Sequence, residues 1–101
     1  MTIQSEWLDD NSVVIFLSGR LDTNSAPKFE LELKSLVERA AGIILDFKDL
    51  SYISSSGLHI LLQTQRAMNN IKRKFVIKNL GEAVRDVLEM TGVINLISLE
   101  E

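Results

Sequence analysis

Three consecutive serines, Ser54, Ser55 and Ser56, run into Gly57, Leu58 and the chain's single histidine, His59. Hydroxyls close to an imidazole first suggest a nucleophile activated by a base. The spacing speaks against it. His59 follows Ser56 by three residues, and at a helix start that separation does not normally aim an imidazole at the serine hydroxyl. With one histidine and no cysteine, zinc is not expected, and thiolate chemistry and disulfides are ruled out. The acidic pairs Asp9-Asp10 and Glu100-Glu101 fall at a turn and a terminus, where carboxylates are solvated surface. Ser55-Ser56-Gly57 lacks the flanking glycines and the lysine of a phosphate-cradling loop. The chain is therefore expected not to be an enzyme and to use no metal or cofactor. What remains is the hydroxyls themselves. Serine is among the best helix N-caps. A helix start also carries unpaired N–H groups and partial positive charge, so it receives a phosphate well. From the residues alone, both readings stand: a cap, or a site that holds an anion.

The elements that must position these serines can be read from periodicity. Residues 43–47 form a short branched apolar run that reads as a buried strand, followed by a polar connector. Leu58, Leu61, Leu62, Ala67 and Met68 then recur at near-helical spacing, which predicts a helix to about Asn70. Upstream, residues 3–8, with Trp7, and residues 13–17 read as strands around the polar turn Asp9-Asp10-Asn11. Residues 18–22 are expected to leave the sheet. Asn24 or Ser25 can cap a helix with Pro27 in its first turn, and Ala26, Phe29, Leu33, Leu36, Val37 and Ala40 form its apolar face. Gly42 is expected to end it.

Downstream, residues 74–78 read as a strand. Gly81 can cap a third helix with Val84, Val87, Leu88 and Thr91 on one face, and Gly92 suits a left-handed C-terminal position. Residues 93–99 close the fold as a short helix or a strand. The order β-β-α-β-α-β-α predicts an α/β fold: a mixed sheet of about four to five strands, parallel around its centre, with helices packed on it.

At 101 residues the chain is expected to be a single domain spanning 1–101. A net charge of −3 gives no reason to expect nucleic acid or an anionic membrane as partner. The basic run Lys72-Arg73-Lys74 reads as a solvated turn. No apolar run approaches the ~20 residues needed to span a bilayer. The first residues lack the basic and apolar regions of a signal peptide. A cytoplasmic location is the expectation.

Three segments carry a family resemblance. Residues 44–58, from Ile44-Leu45-Asp46-Phe47 through Ser54-Ser55-Ser56-Gly57-Leu58, resemble the signature of STAS domains, in particular bacterial anti-sigma factor antagonists. There a hydrophobic strand ends in Asp, and after a connector a D-S-S/T-G-L segment opens a helix. Gly19-Arg20-Leu21-Asp22 with Ser25-Ala26 is similar to the family's G-x-L-D-x-x-T-A segment. Ala83-Val84-Arg85 through Met90-Thr91-Gly92 is similar to its A-V-x-x-x-x-x-x-(S/T)-G-(L/V) segment.

The resemblance implies a switch in transcriptional regulation. Unphosphorylated, such a protein binds an anti-sigma factor that is also a serine protein kinase, and so releases a sigma factor. The kinase phosphorylates the serine before the glycine, here Ser56, with Ser55 as the alternative, and a PP2C-type phosphatase reverses it. Asp22 matches the family's loop aspartate beside the site, and Asp46 the aspartate ending the central strand. Both are expected to add repulsion to a phosphate. Ser54 departs from the pattern, standing where the family has an acid. Gly57 and Leu58 complete the expected partner-binding segment. The chain is expected to act as a monomer or weak dimer, without direct nucleic-acid or membrane contacts. The alternatives are a STAS partner switch with another output, such as stressosome, motility or biofilm control, and a transport accessory.

Overall fold

The computed structural model describes residues 1–100. Its elements are β1 (Thr2–Trp7), β2 (Ser12–Leu21), α1 (Ala26–Arg39), β3 (Gly42–Ile53), α2 (Ser55–Asn70), β4 (Lys74–Lys78), α3 (Glu82–Met90), a 3-10 turn over Val93–Asn95, and β5 (Leu99–Glu100). The five strands lie in one sheet in chain order. β1 runs antiparallel to β2, which a short turn permits, and all later pairs are parallel. Parallel neighbours need a crossover, and α1, α2 and α3 supply them.

Side-chain alternation explains the core. Val13, Ile15 and Leu17 of β2, Ile43, Leu45 and Phe47 of β3, and Phe75 and Ile77 of β4 repeat with period two and are all buried. The register sets Ile43 between Val13 and Phe75, and Leu45 between Ile15 and Ile77. Phe29, Leu33 and Leu36 of α1 and Leu58, Leu61 and Met68 of α2 join the same cluster. Phe29, Phe47 and Phe75 are fully buried. Truncating any one to alanine removes about 3–5 kcal/mol, a large part of a total stability of about 5–15 kcal/mol.

Several boundaries depart from expectation, each for a physical reason. β3 does not stop at residue 47. Its pairing with β4 ends at Asp46, but its pairing with β2 continues to Leu21 opposite Ile53. Residues 48–53 look like a connector because only Leu50 and Ile53 are buried, out of strict alternation. Register shifts between Phe16 and Ser18 and between Gly19 and Arg20 break the period. β2 likewise remains in the sheet through Leu21, with Gly19 at φ 91, a conformation that glycine tolerates.

Gly42 does not end α1. The helix closes at Arg39, with Ala40 in extended conformation donating its N–H to the Leu36 carbonyl. Gly42 opens β3 instead, opposite Ser12, where an added Cβ would lie 3.1 Å from the Ser12 Oγ. Residues 93–99 turn out to hold both a 3-10 turn and the start of a strand. Gly92 does adopt the left-handed conformation, at φ 78. In the basic run, Arg73 donates to the Ala40 carbonyl at 3.1 Å and Lys74 pairs with Glu100 at 3.1 Å. No helix is long and apolar enough to cross a membrane among the described residues.

Candidate functional site

The serines emerge directly from the sheet. Leu21 at the end of β2 pairs with Ile53 at the end of β3, and the Ser54 N–H donates to the Leu21 carbonyl at 2.8 Å. Ser54 is extended, at φ −91 and ψ 172, and is the N-cap of α2. Its Oγ accepts the Gly57 N–H at 3.3 Å, and its carbonyl accepts the Leu58 N–H at 3.0 Å. Ser55 and Ser56 thus occupy the first two helical positions, where backbone N–H groups have no partner within the helix. No acidic side chain lies in this first turn.

Packing distinguishes the three hydroxyls. Ser54 is engaged as a cap. Ser55 is exposed. Ser56 is half-buried and lines a shallow groove of 320 Å³ together with Thr23, Pro27 and Glu30 from the α1 side and His59 and Ile60 from α2. Gly57 is required by close approach: a Cβ there would lie 2.8 Å from the Leu21 Cγ and 2.9 Å from the Ile53 Cγ1. Leu58 is buried and anchors the first turn to the core.

Asp22 sits in the turn between β2 and α1. Its Oδ1 accepts the backbone N–H groups of Asn24 and Ser25, each at 3.0 Å. Its own N–H donates to the Ser25 Oγ at 2.9 Å, and that hydroxyl donates to the Arg20 carbonyl at 2.8 Å. Ser25 is the residue before α1, as expected, but its hydroxyl serves this turn and does not cap the helix. The Ser25 N–H, then the Ser25 hydroxyl, the Asn24 N–H and the Arg20 charge, hold the Asp22 carboxyl below the usual carboxylate range, against the opposing effect of desolvation. Asp22 lines a separate concavity with Met1, Gly19, Arg20, Asn24 and Ser25, adjacent to the serine groove but not part of it. Arg20 also stacks on Tyr52, its cross-strand partner, 4.1 Å from the ring centroid.

The structure does not bring Asp46 to the serines. Asp46 does not end β3, and about seven residues of extended chain, on the order of 20 Å, separate it from the strand's end at Ile53. The carboxylate is buried; Oδ1 accepts the Lys48 N–H at 2.9 Å and Oδ2 accepts the Asn79 Nδ2–H at 3.1 Å. It ties β3 to the residue following β4. Thr23, Pro27, Glu30 and His59 are site neighbours that the motifs alone do not reveal. Of these, only His59 carried a signal in the sequence, three residues from Ser56 on the same helix.

Residues 3–101 match the model of the STAS domain family. The chain belongs to the STAS domain family. It is 26% identical over 91 residues to the anti-sigma-B factor antagonist of Bacillus subtilis, covering 90% of this chain and 84% of that protein. It is 28% identical over 88 residues to the putative anti-sigma factor antagonist BtrV of Bordetella bronchiseptica, covering 86% of this chain and 76% of that protein. Its fold is that of the anti-sigma factor antagonist SpoIIAA. The unphosphorylated form superposes with a TM-score of 0.83 at 24% identity, covering 99% of this chain and 89% of that one. The phosphorylated form, from Bacillus, gives 0.77 at 22%, covering 99% and 92%.

Proposed function

We propose that this protein is an anti-sigma factor antagonist, a regulator of transcription controlled by phosphorylation of Ser56. In its unphosphorylated form it binds an anti-sigma factor with serine kinase activity and so frees a sigma factor. The observation that carries this reading is Ser56 itself: a half-buried hydroxyl in the first turn of α2, set in an open groove, in a chain similar to named antagonists over most of their length. The kinase transfers the γ-phosphoryl group of ATP to the Ser56 Oγ, releasing ADP and the hydroxyl proton. A PP2C-type phosphatase directs water to the phosphorus, releasing inorganic phosphate and restoring the hydroxyl.

The switch works through charge. Phosphorylation adds about −1.5 to −2 charge and three strong acceptors. The free N–H groups and dipole at the start of α2 accommodate that charge, so the fold is left intact. A partner that docks over a neutral hydroxyl must instead desolvate a dianion. Glu30, on the wall of the same groove, adds repulsion.

Mass spectrometry of the protein from its native cell locates the phosphate, and pull-down identifies the kinase. Recovery of a serine kinase that binds wild type and S56A but not S56D is the expected result. Equal binding of S56A and S56D removes Ser56 as the switch, and recovery of membrane transport components removes the whole reading.

A further inference from the structure

Ser56 and His59 stand nearly one turn apart on α2 and line the same groove. Residues three apart on a helix are surface neighbours, so a phosphate, which extends well beyond the hydroxyl it replaces, comes within reach of the His59 ring. His59 is exposed. Glu30 enters the groove from α1. Its cation partner, Lys34, is 3.9 Å away, with 71% of the lysine side chain exposed, so the pair is weak and leaves the carboxylate charge largely uncompensated. Asp22 and Arg20, on the neighbouring turn, face the adjacent concavity. The groove therefore offers one imidazole and one carboxylate to any group attached at Ser56.

We propose that His59 is the positioning residue for a phosphate on Ser56, taking up a proton to neutralise it, with Glu30 opposing from across the groove. The inference rests on the assignment of Ser56 as the acceptor. A phosphoserine loses its second proton near pH ~6, and a proton held on the neighbouring ring favours the dianion. The coupling is reciprocal, each group shifting the other by the same factor. Ser55 does not line the groove but precedes His59 by four residues, also a neighbouring helix position, so phosphate at 55 measures how much of the coupling belongs to the groove.

The test installs phosphoserine during translation at position 56, and separately at 55, so that no kinase is needed. The ³¹P signal and the ring protons of the single imidazole are followed through a pH titration. With phosphate at 56, the ³¹P midpoint is expected about half a pH unit lower, about threefold in proton affinity, in wild type than in H59Q. The imidazole protons titrate at correspondingly higher pH than in the unmodified protein. E30Q lowers the ³¹P midpoint further, because a carboxylate neighbour disfavours the dianion. Equal midpoints in wild type and H59Q overturn the proposal, as does an equal shift with the phosphate at 55. Absence of phosphate at Ser56 in the native cell overturns the assignment of Ser56 and leaves this coupling measurement standing on its own.

Discussion

Gly57 rests directly on Leu21: a methyl group at Gly57 would lie 2.8 Å from the Leu21 Cγ. Leu21 is fully buried and cannot move aside as a surface side chain would. The first turn of α2 is thereby pressed onto the end of β2, and this contact holds Ser56 at the groove.

Gly57→Ala is expected to destabilise the protein although alanine is the better helix former. Overpacking costs about 1–3 kcal/mol, and the gain in helix propensity offsets about 0.8–1 kcal/mol of it. A net loss of up to about 2 kcal/mol should appear as a lower urea midpoint. An unchanged midpoint means that the contact at Leu21 relaxes freely.

Ser54→Ala should remove the cap on α2 and cost about 1 kcal/mol. Ser54→Asp should keep the cap and gain about 0.3–1 kcal/mol from a negative charge at the helix start. The rank order aspartate, serine, alanine in thermal unfolding checks this. It also accounts physically for the departure from the family pattern, since serine and aspartate cap a helix almost equally well.

Much of this was legible in the chain. The periodicity of Phe29, Leu33 and Leu36 and of Leu58, Leu61 and Met68 announced two helices, and the branched runs of β2 and β3 announced their strands. The far end of β3 was not legible, because the bulges opposite Gly19 erase the period on which a strand is recognised. Gly42 misled because a glycine after a helix suits two purposes, left-handed closure or close strand approach, and only the Ser12 neighbour decides between them. Asp46, which the family resemblance puts at the strand's end beside the site, lies apart for a related reason: β3 runs on past it to Ile53. The far wall of the groove could not be read, since Glu30 and Pro27 come opposite Ser56 only through tertiary packing.

Asp46→Ala should leave the Lys48 N–H and the Asn79 amide without their buried acceptor, at a cost of about 2 kcal/mol. Kinase binding, measured where both proteins remain folded, should be unchanged. A loss of binding without a loss of stability would return Asp46 to the switch.

Asp22 should make stability depend on pH in acid. Its carboxyl is held below its unfolded value, so folding favours the ionised form. That contribution is complete above about pH 4 to 5 and is lost as pH falls through the folded value. Wild type should exceed D22N in urea midpoint by a constant amount at neutral pH, with the gap narrowing below about pH 4. A gap of equal size at pH 2.5 and pH 6 rules out the turn's hydrogen bonds as its source.

The bond from the Ser54 N–H to the Leu21 carbonyl joins two places far apart in the chain. It closes only when the ends of β2 and β3 come together across the intervening chain, a non-local event in folding. A chain still emerging from the ribosome carries the same three serines, but on a loose segment with no cap, no groove and no Glu30 across from them. An enzyme that reads the groove therefore acts on the finished protein and ignores the nascent one, and a short serine peptide is a poor substitute for either.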